Sequence, residues 1–173
     1  MRERSDPAVE RRSEAFETFY DREYPAVVGL AYALSGSRGG AEDLAQEAFL
    51  AAYRQWERIG LYEQPGAWVR RVVANLSTSV FRRRVSEAKA LVRVALGQPT
   101  VVPELSAADP AFWTAIRALP RRQAQVVALF YLEDLPVADV AEILDVSPGT
   151  VKRHLFNGRR ALGAQLGLRE DVE

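Results

Sequence analysis

The sequence contains no cysteine, which excludes disulfides and thiolate metal sites. It has one histidine, His154, too few for a histidine metal site, and no cofactor or metal is expected. No apolar run approaches the roughly 20 residues that cross a membrane. Residues 1–14 are densely charged and lack the apolar centre of a signal peptide. The expectation is no membrane insertion and a cytoplasmic location. Net charge is lacking too, with 23 basic residues against 23 acidic ones. A strong non-specific nucleic-acid binder usually carries a basic excess, so any recognition of nucleic acid must come from how the charges are placed. Strand signals are almost absent, because no sustained period-two alternation is bounded by turns.

What is present is helical spacing and sorted charge. With 48% hydrophobic and 27% charged residues, the 173-residue chain has the balance of a globular protein, long enough for two small domains. Phe16, Phe19, Tyr20, Tyr24, Val27, Val28 and Ala31 fit one helical face running to about Leu34. Ser35-Gly36-Ser37 and Gly39-Gly40 then break the chain. A second helix is predicted from Ala41 to Trp56, and residues 60–66, with Pro65, read as a loop. A third begins near Ala67 and continues through Arg82, Arg83 and Arg84. Gly97, Pro99, Pro103 and Pro110 forbid a long helix thereafter, so 85–110 reads as a linker, helical at most at its start. Four further helices are predicted at 111–119, 120–131, 137–144 and 148–166. The architecture expected is all-α: two small helical domains, at 12–84 and 111–168, on a flexible tether.

The second half has the form of a helix-turn-helix. A short helix at 137–144 is followed by Asp145-Val146-Ser147 and a helix opening at Pro148. The Ser147 hydroxyl is placed to accept from the unpaired amides of the first turn. At about 100° per residue, Val151, Leu155 and Leu162 fall on one stripe facing a core. Thr150, Arg153, Asn157 and Arg160 fall opposite, where arginine suits guanine and asparagine suits adenine in a major groove. Lys152 and Arg159 flank them, in reach of phosphates. Phe156 also points outward.

In the first half, Asp43, Gln46, Glu47 and Leu50 lie together on the second helix, away from the Phe49–Trp56 stripe. A leucine among carboxylates suits a basic protein partner. The carboxylates lack a nearby nucleophile, histidine or further ligand, so no catalytic residue is assigned. On the third helix, Val69, Val72, Val73, Leu76 and Val80 make the stripe for burial. Trp68, Arg71, Asn75, Ser79 and Arg82 share another sector. An aromatic, an amide and arginines on one face match single-stranded DNA, which needs stacking, edge donors and charge. Tyr62 in the preceding loop is placed to wall a pocket for an unstacked base. Trp68 also fits a core residue at a helix start.

Both halves resemble one family. Ala41-Glu42-Asp43-Leu44-Ala45-Gln46-Glu47-Ala48-Phe49-Leu50 is similar to the AEDLxQEAFL signature of sigma region 2, and Pro65-Gly66-Ala67-Trp68 through Asn75 to Arg82-Arg83-Arg84 looks like its later part. Leu119-Pro120-Arg121-Arg122-Gln123, Tyr131-Leu132-Glu133-Asp134-Leu135 and Ser147-Pro148-Gly149-Thr150-Val151-Lys152 look like region 4. The order, with a linker between and no region 3, resembles the extracytoplasmic-function group of the sigma-70 superfamily.

The resemblance implies a transcription initiation factor and not an enzyme. By it, Asp43, Gln46, Glu47 and Leu50 dock on the β′ clamp helices of core RNA polymerase, and the C-terminal half meets the β flap. Tyr62, Trp68, Arg71, Asn75, Arg82 and Arg83 hold the opened −10 element of promoter DNA. Thr150, Lys152, Arg153, Asn157, Arg159 and Arg160 read the −35 element in duplex form. An anti-sigma partner is expected by the same analogy. Two positions depart from the family pattern: an acidic residue is common where Ser79 stands, and Ser-Arg is usual where Arg153-His154 stands. Two other readings are open to the residues alone: a stand-alone helix-turn-helix regulator, and an enzyme of nucleic acid, which lacks any catalytic constellation.

Overall fold

The computed structural model describes residues 7–90 and 110–166, and within them the side chains from 16 to 78 and from 111 to 166. The first half consists of α1 (Pro7–Ser35), α2 (Arg38–Arg54), the single turn α3 (Trp56–Ile59) and α4 (Pro65–Ala90). The second consists of α5 (Pro110–Ala118), α6 (Arg121–Tyr131), α7 (Val137–Leu144) and α8 (Pro148–Leu166). No strand occurs among the described residues.

The local chemistry accounts for the breaks. Gly36 follows α1 in the left-handed region, at φ 71°, and its amide donates to the Tyr32 carbonyl at 2.7 Å. A side chain there would strain the backbone, and glycine avoids this. Ser37 caps α2 by accepting from the Gly40 amide at 3.2 Å. α4 opens on Pro65 rather than Ala67, since the first helical position needs no amide hydrogen and proline's φ is already helical. α2 stops at Arg54, and Trp56 starts the separate turn α3. α4 continues past residue 84 to Ala90, so the expected linker begins as helix. Its remainder, 91–109, lies outside the described residues.

The first core gathers Phe19, Val27 and Leu30 of α1, Phe49 of α2, Ile59 of α3, and Val69 and Val73 of α4, all buried. Aromatic rings tie α1 to its neighbours, with centroids 4.7 Å apart for Phe19–Trp56 and 4.8 Å for Tyr20–Phe49. The second core holds Ile116, Leu119, Val126, Val127, Leu129, Val140 and Val151.

The two halves do not stand apart: α1 packs on α5 and α6, and α4 packs on α6 and α7. This differs from the picture of two modules displaying wholly separate faces. The buried apolar residues of the two halves form one cluster, and polar contacts cross the seam as well. Gln125 of α6 is buried, and its amide donates to the Ala74 carbonyl of α4 at 2.6 Å and to the Ser77 hydroxyl at 3.5 Å. A buried amide left without such partners costs about 1–3 kcal/mol.

Candidate nucleic-acid and protein interfaces

On α2, Leu44, Ala45, Ala48 and Phe49 turn inward, which leaves Asp43, Gln46, Glu47 and Leu50 exposed together. Leu50 is 47% exposed and Tyr53, one turn on, is 51% exposed. Tyr53 was not singled out in the sequence, although its spacing of three from Leu50 puts it on the same side. Glu42 is bound to Arg38 at 2.9 Å and so belongs to the helix start rather than to this face.

On α4 and the loop before it, Tyr62, Trp68 and Arg71 converge on a pocket of about 300 Å³. Glu63, Gln64 and Ala67 complete its near wall, and Glu142 and Ile143 of α7 form the far one. Tyr62 is 41% exposed, whereas Trp68 and Arg71 are half-buried. The Arg71 guanidinium donates to the Ile143 carbonyl at 3.0 Å and to the Glu142 carbonyl. Those carbonyls end α7, where the helix dipole is negative and favours a cation. Asn75 is exposed and does not line the pocket. The side chains of Arg82 and Arg83 lie outside the described residues.

Beside this pocket is a triad that sequence reasoning did not assign. Arg70 of α4 bridges Glu23 of α1 at 2.8 Å and Glu133, after α6, at 2.7 Å. The Glu133 side chain is only 4% exposed. Burial opposes charging of both Glu23 and Arg70, yet their mutual hydrogen bonds and charges outweigh it. The Glu23 carboxyl is held below its ordinary value and the Arg70 guanidinium above its own. Gly66 makes room for the bridge, since a Cβ there would stand 2.6 Å from Arg70 Nη1 and 2.7 Å from Glu23 Oε2.

In the helix-turn-helix, α7 ends on Asp145 in the left-handed region at φ 53°, and the Val146 amide returns to the Ala141 carbonyl at 3.0 Å. The Ser147 hydroxyl accepts from the Thr150 amide at 3.1 Å. Val151, Leu155 and Leu162 of α8 are buried, and Lys152, Arg153, Asn157, Arg159 and Arg160 are exposed. Thr150 is half-buried and its hydroxyl pairs with Ser147 Oγ at 2.9 Å, which engages it in the cap. Arg159 donates to the Tyr131 hydroxyl and lies 5.6 Å from that ring's centroid, so this flanking cation is held in place. Phe156 is 62% exposed, with the Arg160 guanidinium 6.0 Å from its centroid. Burial, then the charges of Arg153 and Arg122, keep His154 below the ordinary imidazole value. Among the described residues, no group of His, Cys, Asp and Glu could hold a metal, and no helix is long and apolar enough to cross a membrane.

Each half of the chain matches a known family model. Residues 19–87 match the family model described as Sigma-70 region 2, and residues 110–162 match Sigma-70, region 4. The chain is 28% identical over 167 residues to the ECF RNA polymerase sigma factor SigW of Bacillus subtilis, covering 88% of this chain and 89% of that protein. It is 32% identical over 133 residues to the RNA polymerase sigma-E factor of Streptomyces antibioticus, covering 77% and 71%. Against the ECF RNA polymerase sigma factor BldN of Streptomyces coelicolor it is 30% identical, covering 96% of this chain but 66% of that one. Among solved structures, the sigma factor RpoE, co-crystallised with the anti-sigma factor NepR from Bartonella quintana, superposes with a TM-score of 0.73 at 22% identity, covering 90% and 98%. CnrH, solved with the cytosolic domain of CnrY, gives 0.65 at 19% identity, covering 90% and 89%. At these identities the two structures speak for the fold alone.

Proposed function

The chain belongs to the extracytoplasmic-function group of sigma-70 factors, and from that premise we propose how its surfaces divide the work of transcription initiation. A sigma factor is an initiation factor and not an enzyme. The α2 face of Asp43, Gln46, Glu47 and Leu50 binds core RNA polymerase at the β′ clamp helices. Its exposed leucine supplies apolar contact and its carboxylates select a basic surface. The C-terminal half meets the β flap and reads the −35 duplex through Arg153, Asn157 and Arg160, with Lys152 and Arg159 on phosphates. Thr150 contributes through its cap position.

Tyr62, Trp68, Arg71, Asn75, Arg82 and Arg83 hold the unpaired −10 strand. Opening then follows from binding: bases captured by this face stabilise the melted state over the paired one. The reaction takes place in the cytoplasm, where polymerase and promoter are. The similar fold solved with anti-sigma factors supports control by such a partner.

The observation that carries this reading is the coexistence of two solvent-facing surfaces on one chain: the acidic, leucine-bearing side of α2 and the basic, amide-bearing side of α8. The double variant Asp43→Arg, Glu47→Arg tests it. Both side chains are exposed, so thermal unfolding should be unchanged while affinity for core polymerase falls by about tenfold or more. Unchanged affinity in a folded variant contradicts the assignment of this face.

A further inference from the structure

Arg159 is the cation of α8 whose side chain is fixed from both sides. Its Nε–H donates to the Tyr131 hydroxyl, and its guanidinium lies 5.6 Å from the Tyr131 centroid and 5.9 Å from that of Phe130. The two rings meet edge-on, with centroids 5.0 Å apart at 80°, and form a corner in which the guanidinium rests. Tyr131 closes α6. The close approach of Gly158 to Val127, one turn earlier on α6, brings the next residue of α8, Arg159, within reach of it. Arg159 is exposed, and among the described residues it forms no ion pair and donates no hydrogen bond from its terminal amino groups. We propose that Tyr131 is a positioning residue for the −35 contact: it presets the Arg159 guanidinium so that the terminal amino groups take a phosphate of the duplex. The inference rests on the reading of α8 given above and adds to it the residue that makes one backbone contact tight.

The physical gain is one of order. A loose arginine gives up its rotamers when it meets a phosphate, and that loss offsets much of what the contact contributes. In this chain the ordering is done on folding, by the Tyr131 hydroxyl and the ring corner. With Nε–H committed to Tyr131, the end of the guanidinium that remains is one that suits phosphate oxygens. The placement also fits a backbone rather than a base. At about 100° per residue, Lys152 and Arg159 fall within about 20° of each other and stand roughly 10 Å apart along the axis. They form a row beside the outward set of Thr150, Arg153, Asn157 and Arg160. A helix in a groove needs such a row, because backbone contacts hold the register in which its outward side reads bases. An acidic protein segment is the competing occupant, and the test separates the two.

The test uses holoenzyme assembled from the full chain and core RNA polymerase. Its probe is a fluorescein-labelled promoter fragment taken from a transcript start that this holoenzyme makes. Affinity is read in the cold, before the duplex opens, over a series of salt concentrations. Arg159→Ala should weaken binding about tenfold and lower the salt slope by about one. Tyr131→Phe keeps the ring and every charge and removes only the hydroxyl, and it should weaken binding by roughly two- to tenfold. The double variant should bind no more weakly than Arg159→Ala alone, because Tyr131 acts through Arg159. In a Lys152→Ala background the Tyr131→Phe loss should keep its full size. Thermal midpoints of the variant chains should stay near that of wild type, since Tyr131 and Arg159 are both exposed.

Equal promoter affinity of Tyr131→Phe and wild type overturns the positioning role. A Tyr131→Phe loss of the same size with and without Arg159 overturns it as well, since the hydroxyl then acts on the fold and not through the arginine. Should the variants lose affinity for core polymerase while the assembled holoenzyme binds the promoter normally, the pair serves an acidic protein surface and the phosphate assignment is wrong. Arg153→Ala keeps the two readings apart. If it weakens promoter binding and Arg159→Ala does not, α8 still reads the duplex and only the Tyr131–Arg159 contact is lost. If neither weakens it, or the wild-type holoenzyme makes no defined start, the assignment of α8 falls and takes this inference with it.

Discussion

Gly158 sits where α8 crosses α6, and a Cβ there would stand 2.8 Å from the Val127 methyl and 3.9 Å from Leu119. Val127 is fully buried and branched at Cβ, so it has little freedom to move aside. Gly158→Ala gains up to about 1 kcal/mol of helix propensity and loses about 1–3 kcal/mol to overpacking. The expected outcome is a lower thermal midpoint. Gly39→Ala, with nothing within 4 Å of the added methyl, should be neutral or stabilising. A calorimetric comparison of the two variants checks this, and equal midpoints contradict the close approach. Residues of this kind are hard to read in a sequence, because a glycine's reason lies in what faces it. The same holds for Arg70, whose partners are 47 and 63 positions away. Gln125, whose acceptor Ala74 is 51 positions off, is another case. Periodicity says which side of a helix a residue occupies and nothing about what comes to meet it.

At the scale of elements, the apolar stripe was a reliable guide where it was long. Val151, Leu155 and Leu162 are buried as their spacing requires, and so are Ala45, Phe49 and Ala52. The turn before α8 was also legible, since Ser147-Pro148 supplies a cap followed by a residue suited to the first helical position. The break between α2 and α3 was not, because Trp56 continues the stripe of α2 while the backbone at Gln55 departs from helix, at φ −120° and ψ 19°. For α8 the cap has a measurable consequence. Ser147→Ala removes the acceptor of the Thr150 amide and the partner of the Thr150 hydroxyl, at a cost of about 1 kcal/mol. The midpoint of the isolated chain should fall by a few degrees and affinity for −35 duplex DNA should weaken, since the residues that enter a groove lie nearest this end of the helix. A midpoint unchanged in differential scanning would place the start of α8 under other control.

For the whole molecule, charge placement was more informative than net charge. A chain with 23 basic and 23 acidic residues keeps an acidic side on α2 and a basic side on α8, and both were legible from helical angles alone. The all-α class and the two helical sets were legible for the same reason. What was not legible is that the halves meet, because the apolar cluster and the polar bonds that join them pair distant positions and leave no pattern along either helix. The docked arrangement changes the meaning of Trp68 and Arg71. They are neither plain core nor a fully open face; they stand at a seam, half-covered by α7.

The most direct test of initiation itself is to incubate the purified chain with core RNA polymerase and fragmented genomic DNA of its host, and to sequence the 5′ ends of the transcripts. Transcript starts should cluster at a defined distance downstream of one shared two-block motif, with none of these starts made by core alone. Starts no different from those of core alone, or scattered without a common upstream motif, would contradict the account.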